Sequence, residues 1–220
     1  IEAIWRDHLE TWLPTQFPEL DPWVTRSWDT IGIPESTVAE LTEEALRGSN
    51  FEKGYRVHLP YVEVKLSYPK SRAHEAERWV QKVTEALAPI TALRDGEDAV
   101  QLLAQALKPF VGARVEDMVS GSYLFNRLVP HAGGLWREGR LTLTNTRTGM
   151  ELMSEHRELV LNLRESAPRE AEASISWRGQ KRKVLMKSPI QSALLIEREK
   201  QFFAEMASLF WVRELRALIQ

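Results

Sequence analysis

The chain has 220 residues, 43% of them apolar and 27% charged, with a formal net charge of −2 and no cysteine. That length and apolar share suit one globular domain, or one domain with an appendage, around a real core. The charge balance excludes a polycation, so any nucleic-acid contact needs a local basic face.

The lack of cysteine excludes disulfides, thiolate zinc sites and a cysteine nucleophile, and it fits a reducing compartment, so a cytoplasmic location is expected. No apolar run approaches the roughly 20 residues of a membrane helix, so no membrane contact is expected. Neither a secretory leader nor a transit segment is expected. The chain opens on Ile1 instead of Met, as a trimmed protein or a fragment does. Eight tryptophans are many for this length, and a core role is the commoner use of each.

In chain order, residues 1–13 form an amphipathic segment with Ile1, Ile4, Trp5, Trp12 and Leu13 near one face. Pro14 and Pro18 are expected to stop it, and the stretch to Ile33 reads as irregular but packed. Pro34 and the Thr37-to-Glu40 spacing predict a helix start, with Val38, Leu41 and Ala45 as its buried stripe and Gly48 as its stop. Tyr55 to Ser67 reads as extended, because Val62, Val64 and Leu66 alternate with Glu63, Lys65 and Ser67. Pro60 divides it into two short strands or bends an edge.

Ser71 is the expected cap of a helix carrying Ala73, Ala76, Val80, Val83 and Leu87, and Pro89 ends it. Asp95 is expected to open another, with Val100, Leu103, Leu107 and Phe110, ending near Gly112. The central stretch, Ser120 to Ser154, holds an aromatic and aliphatic cluster (Tyr123, Leu124, Phe125), a predicted glycine loop from Pro130 to Gly134, and then alternation at Leu141 and Leu143. Those two leucines are expected to pair with Met150 and Leu152 in a hairpin. Leu159, Leu161 and Leu163 alternate again, and Arg164 to Ala173 reads as a mobile loop. Ile175 and Trp177 lead through Gly179 into Lys183 to Met186 as a second hairpin. Ser188, Pro189 and Gln191 open a long C-terminal helix.

No catalytic or metal motif stands above background. Glu63-Val64-Lys65 on a strand before a helix is the arrangement of PD-(D/E)XK nucleases, where both side chains would face a metal-bound water and a phosphate. Such a site needs a further acid on a preceding strand, and Glu52 or Asp29 would have to reach in from a loop. The five histidines are scattered without ligand spacing. Ser120-Gly121-Ser122 is no nucleophile elbow, and no phosphate-binding glycine loop is present. No metal and no cofactor are expected.

Two clusters favour a polyanion. Arg178, Lys181, Arg182, Lys183 and Lys187 gather at the second hairpin beside Trp177, where cations neutralise phosphates and an aromatic can stack a base. Tyr123, Arg127, Arg137 and Arg140 interleave with aromatics in the central stretch. Solvated hairpin tips and charges that keep edge strands apart are the plainer account of the same residues.

The order of extended segment, helix and helical approach, followed by Gly121-x-Tyr123-Leu124-Phe125-Asn126-Arg127 and a strand, resembles the repeated backbone subunit of type I-F CRISPR RNA-guided complexes. The likeness covers Tyr55 to Leu143. Phe125 stands where that family has tryptophan, and Asn126-Arg127 reverses its usual order. The resemblance implies an RRM-like core that holds guide RNA along its backbone without catalysis.

The sequence therefore predicts an α+β protein with helices packed on a mainly antiparallel sheet and a long C-terminal helix. It is expected as a single domain, helix-rich over 1–118 and strand-rich over 119–220. The expected function is that of a non-catalytic binding subunit of a macromolecular assembly, with single-stranded RNA or other protein subunits as partners. A metal-dependent nuclease using Glu63 and Lys65, and a protein-binding scaffold without nucleic acid, are the alternatives.

Overall fold

The computed structural model describes residues 5–18, 20–144, 159–190 and 195–219. The fold is α+β, with a long C-terminal helix, as the sequence predicts. It divides into two compact units where a single domain is expected: Ile1–Val57 with Val62–Asp95, and His58–Tyr61 with Gly96–Gln220. The expected change of character at residue 118 falls inside the second unit. By sequence the first unit holds eleven Lys and Arg against sixteen Asp and Glu, and the second eighteen against fifteen.

The first unit begins with a π-helical turn, Trp5–Leu9, and α1 (Glu10–Gln16), which continues through Pro14 instead of stopping there. Trp5, Trp12 and Phe17 are each about half exposed. Then come β1 (Trp23–Thr30), α2 (Glu35–Ala45), β2 (Glu52–His58), β3 (Tyr61–Pro69), α3 (Ala73–Leu87) and β4 (Thr91–Arg94). The sheet order is β2-β3-β1-β4, and β1 pairs antiparallel with both β3 and β4. This βαββαβ arrangement is the ferredoxin-like one, which RRM domains share. It spans Trp23 to Arg94, so it shares only Tyr55 to Arg94 with the Tyr55-to-Leu143 stretch of the resemblance.

β1 replaces the irregular stretch the sequence suggests. Its core face carries Val24, Arg26, Trp28 and Thr30, paired with Tyr68, Leu66, Val64 and Val62. Two of those four are polar, which hides the alternation. Thr30 is fully buried and donates from Oγ1 to the Val62 carbonyl at 2.8 Å. Arg26 donates to both carboxylate oxygens of Asp95, at 3.0 and 2.7 Å. Trp28, Val64, Leu66, Val38, Trp79, Val83 and Leu87 form the core.

Several helix signals resolve differently in detail. Pro34 occupies the N-cap of α2 without a side-chain cap, Leu41 is 39% exposed, and Thr42 is buried in its place, bonded to the Val38 carbonyl. Ser71 bonds to Asp21 instead of capping α3.

The second unit contains α4 (Ala99–Leu107), β5 (Ala113–Asp117), α5 (Tyr123–Arg137), β6 (Leu141–Thr144), β7 (Leu159–Ala167), β8 (Glu170–Trp177), β9 (Gln180–Lys187) and α6 (Ile196–Ile219). The cap of α4 is Asp98, not Asp95: its Oδ1 accepts from the amides of Val100 and Gln101, both at 2.9 Å. The predicted glycine loop is the interior of α5. Pro130 forfeits one backbone bond there, and the burial of Leu124, Leu128 and Ala132 holds the helix around it.

The five-stranded sheet runs β6-β5-β7-β8-β9. β5 pairs parallel with β6 and β7, while β8 pairs antiparallel with β7 and β9. The expected mobile loop from Arg164 to Ala173 is instead a hairpin turning at Pro168-Arg169, with Arg169 in the left-handed region at φ 64°. The first expected hairpin lies largely outside the described residues; within them, Leu141 and Leu143 pair with Ala113 and Val115. Residues 191–194 of the predicted C-terminal helix start also lie outside them.

α6 packs against α4 and α5 and also against β8 and β9. Phe202 and Phe203 are both buried because partners stand on both sides of the helix. Trp211, fully buried, donates its indole N–H to the Ser174 carbonyl at 2.9 Å. Trp211→Ala should therefore cost about 3–5 kcal/mol, the cavity and the lost packing together. Urea unfolding followed by circular dichroism reads this directly; an unchanged midpoint would show α6 to be dispensable.

Candidate nucleic-acid interface

The structure separates the predicted cationic residues into three groups. Tyr123 and Arg127 lie on the first turns of α5, one helical turn apart, and face into the second unit. Glu205 of α6 is 3% exposed, and a buried carboxylate needs paired charge and hydrogen bonds. Arg127 supplies the charge through Nη1 and bonds Asp98 through Nη2. Arg127 Nη1 also donates to the Tyr123 hydroxyl at 2.6 Å. The Tyr61 hydroxyl donates to Glu205 Oε2 at 2.9 Å. Burial pulls the Arg127 pKa down, but the Tyr123 bond and the Asp98 charge outweigh it and leave it raised. This guanidinium is committed to the interior.

Arg137 and Arg140 form the second group, around the end of α5. Arg137 is exposed. Arg140 is turned inward, donating from Nη2 to the carbonyls of Lys108 and Phe110 at 2.7 and 3.2 Å.

The third group is the β8–β9 hairpin, where strand alternation decides every role. Ile175 and Trp177 point to the core face, and so does Arg182, which pairs with Ile175 in the register. Arg182 bonds Glu214 of α6 at 2.7 Å. Burial pushes the Glu214 carboxyl up, yet Arg182 and Arg213 outweigh it and hold it below its ordinary range. Trp177 is half-buried, edge-on to Phe110 at 5.8 Å, with the Arg178 guanidinium 4.2 Å from its ring centre.

Lys181, Lys183 and Lys187 point to the opposite face, turned away from the helices. Sequence reasoning missed two further members of that face, Arg164 on β7 and Glu172 on β8, which pair across the strands. Glu172 accepts from Arg164 at 2.7 Å and from Lys183 at 2.9 Å. Lys183 foremost, with Arg164 behind it, holds that carboxyl below its ordinary range against the cost of burial. Lys187 pairs with Glu170 at 3.5 Å. The cations stand outermost: the Arg164, Lys183 and Lys187 side chains are 53%, 65% and 79% exposed, against 10% for Glu172 and 29% for Glu170.

In the first unit, the face of β1 and β3 opposite the helices carries Thr25, Ser27, Asp29, Glu63, Lys65 and Ser67. An RRM-type platform stacks bases on aromatics at such positions; here the aromatics of that face stand only at the strand ends, Trp23, 55% exposed and opposite Pro69, and Tyr61, which is buried. The register instead sets Asp29 opposite Glu63 and Ser27 opposite Lys65. Asp29 thus comes from a strand, not from a loop as the sequence suggests. Lys65 Nζ lies 3.3 Å from Glu63 Oε2. Among the described residues, no group of three or more His, Cys, Asp or Glu side chains could hold a metal ion.

Arg127→Ala should strand Glu205 as an unpaired buried charge and destabilise the second unit by about 3–5 kcal/mol. Nucleic-acid affinity, measured at a temperature where the variant remains folded, should not move. A folded, fully stable variant that lost affinity would place Arg127 in the binding surface instead.

The chain matches no known protein family, and no curated protein sequence matches it.

Proposed function

We propose that this chain is a non-catalytic binding subunit whose ligand is nucleic acid, with single-stranded RNA as the candidate that the sequence favours. The ligand lies across the outer face of β7, β8 and β9. The observation that supports this reading is the vertical order of charge there: Arg164, Lys181, Lys183 and Lys187 outermost, Glu170 and Glu172 beneath. Same-face residues on a strand recur about every 6.6–6.8 Å, so Lys181 to Lys187 spans about 20 Å along β9. Several phosphates fit along that row. The same face could serve an acidic protein subunit, and salt dependence separates the two. Counterion release from a single strand gives a log–log slope of about −0.7 for each phosphate neutralised.

Changing Lys181, Lys183 and Lys187 together to Ala should weaken RNA binding and flatten the slope by about 2. Stability should change little, because the lysines stand mostly in water, where a pair contributes about 0–1 kcal/mol, and Arg164 remains on Glu172. Fluorescence anisotropy with a labelled oligonucleotide over a salt series reads both quantities. Wild-type protein that bound no RNA or DNA at any salt would leave the protein-scaffold reading in its place.

A second reading, metal-dependent phosphodiester cleavage, is favoured by one observation, the pairing of Asp29 with Glu63 beside Lys65. Two carboxylates on adjacent strands could share a divalent cation, and the lysine could steady a phosphate or a metal-bound water. If so, magnesium or manganese should support cleavage of a DNA or RNA substrate, and both Asp29→Asn and Lys65→Ala should abolish it. A wild-type protein inert with both metals ends this reading and leaves the binding reading untouched.

A further inference from the structure

The chemistry of the β7–β9 face specifies what part of a nucleic acid it can touch. No aromatic side chain stands on that face among the described residues of the three strands. Trp177, at its edge, points to the core side, edge-on to Phe110 at 5.8 Å, and Arg178 sits 4.2 Å from its ring centre. Its ring is therefore occupied, and base stacking has no platform here.

Apart from Leu185, 62% exposed and across from Glu172, what the face offers is cations resting on carboxylates. Glu172 is shared by two of them, Arg164 at 2.7 Å and Lys183 at 2.9 Å. Ser174 and Ser176 lie across from Lys183 and Lys181 and add no charge. An anion approaching from solvent meets ammonium and guanidinium groups first and the carboxylates behind them.

From this geometry, and resting on the nucleic-acid reading above, we infer that the face is a base-blind phosphate-binding site in which Glu172 is a built-in counterion that backbone phosphates displace. The carboxylate keeps Arg164 and Lys183 oriented in the free protein and competes with the ligand for them. Binding then follows phosphate density and not base identity. A duplex, with one charge per about 1.7 Å of axis, binds at least as tightly as a single strand of equal length.

The test uses the full chain, four RNA homopolymers of one length, and a mixed-sequence strand alone and as a duplex. The homopolymers should agree within about threefold, and the duplex should match or exceed the single strand. Glu172→Gln should raise affinity about tenfold, the low end for one additional charge-assisted hydrogen bond to phosphate, and should steepen the salt slope. Glu170→Gln, whose carboxylate is more exposed and holds only Lys187, gives a smaller gain in the same direction and serves if the first variant does not fold. Thermal unfolding establishes that each variant is folded.

Strong base preference, a single strand that outbinds the duplex, or an affinity unchanged in both carboxylate variants overturns this inference while nucleic-acid binding stands. Wild-type protein that binds none of the six ligands overturns the nucleic-acid reading, and the inference with it.

Discussion

A single buried carboxylate, that of Glu205, constrains how the second unit is put together. An ionised group 3% exposed inside a helical core is tolerated only where charge and hydrogen bonds meet it. Arg127 of α5 brings the charge, Tyr61 brings a hydroxyl, and Asp98 neutralises the other side of the guanidinium. Four separate stretches of chain must therefore arrive together before Glu205 can be buried. Around that point α6 lies against α4 and α5 and against β8 and β9, which fixes the sheet whose far face carries the exposed cations.

The same rule explains why cations that look alike in sequence differ in role. Arg127 and Arg182 answer buried acids of α6, Glu205 and Glu214, on the core side of the second unit. Lys183 and Arg164 also answer a buried acid, Glu172, but on the sheet face turned away from the helices. Availability to a ligand is thus set by which face of the sheet a cation stands on, not by whether a partner exists.

Much of this was legible in the sequence where one period runs uninterrupted. β3, the first half of β7, and the end of β8 with β9 follow from alternation alone, as does the inward direction of Trp177; the rest of β7 and β8 falls in the stretch expected as a mobile loop. β1 was not legible, because Arg26 and Thr30 occupy core-face positions and find their partners in Asp95 and the Val62 carbonyl, both far along the chain. β4 has four residues and β5 five, too few for a period to show. Without β1 and β4 the βαββαβ unit could not be recognised. The candidate interface was half legible: the cluster of cations is local, but Arg164 and Glu172 join it only through the register of β7 on β8. Asp29 meets Glu63 only because β3 returns beside β1 after a helix and another strand.

Asp98 has a consequence for local dynamics. Helix ends normally fray, and their amide protons exchange with solvent far faster than those of the core. Here the carboxylate that holds the amides of Val100 and Gln101 is also bound to Arg127, so opening the first turn of α4 loosens the charge balance around Glu205. Deuterium uptake at those two amides should then be slower than at an uncapped helix start, because exchange requires release of a carboxylate held from two sides.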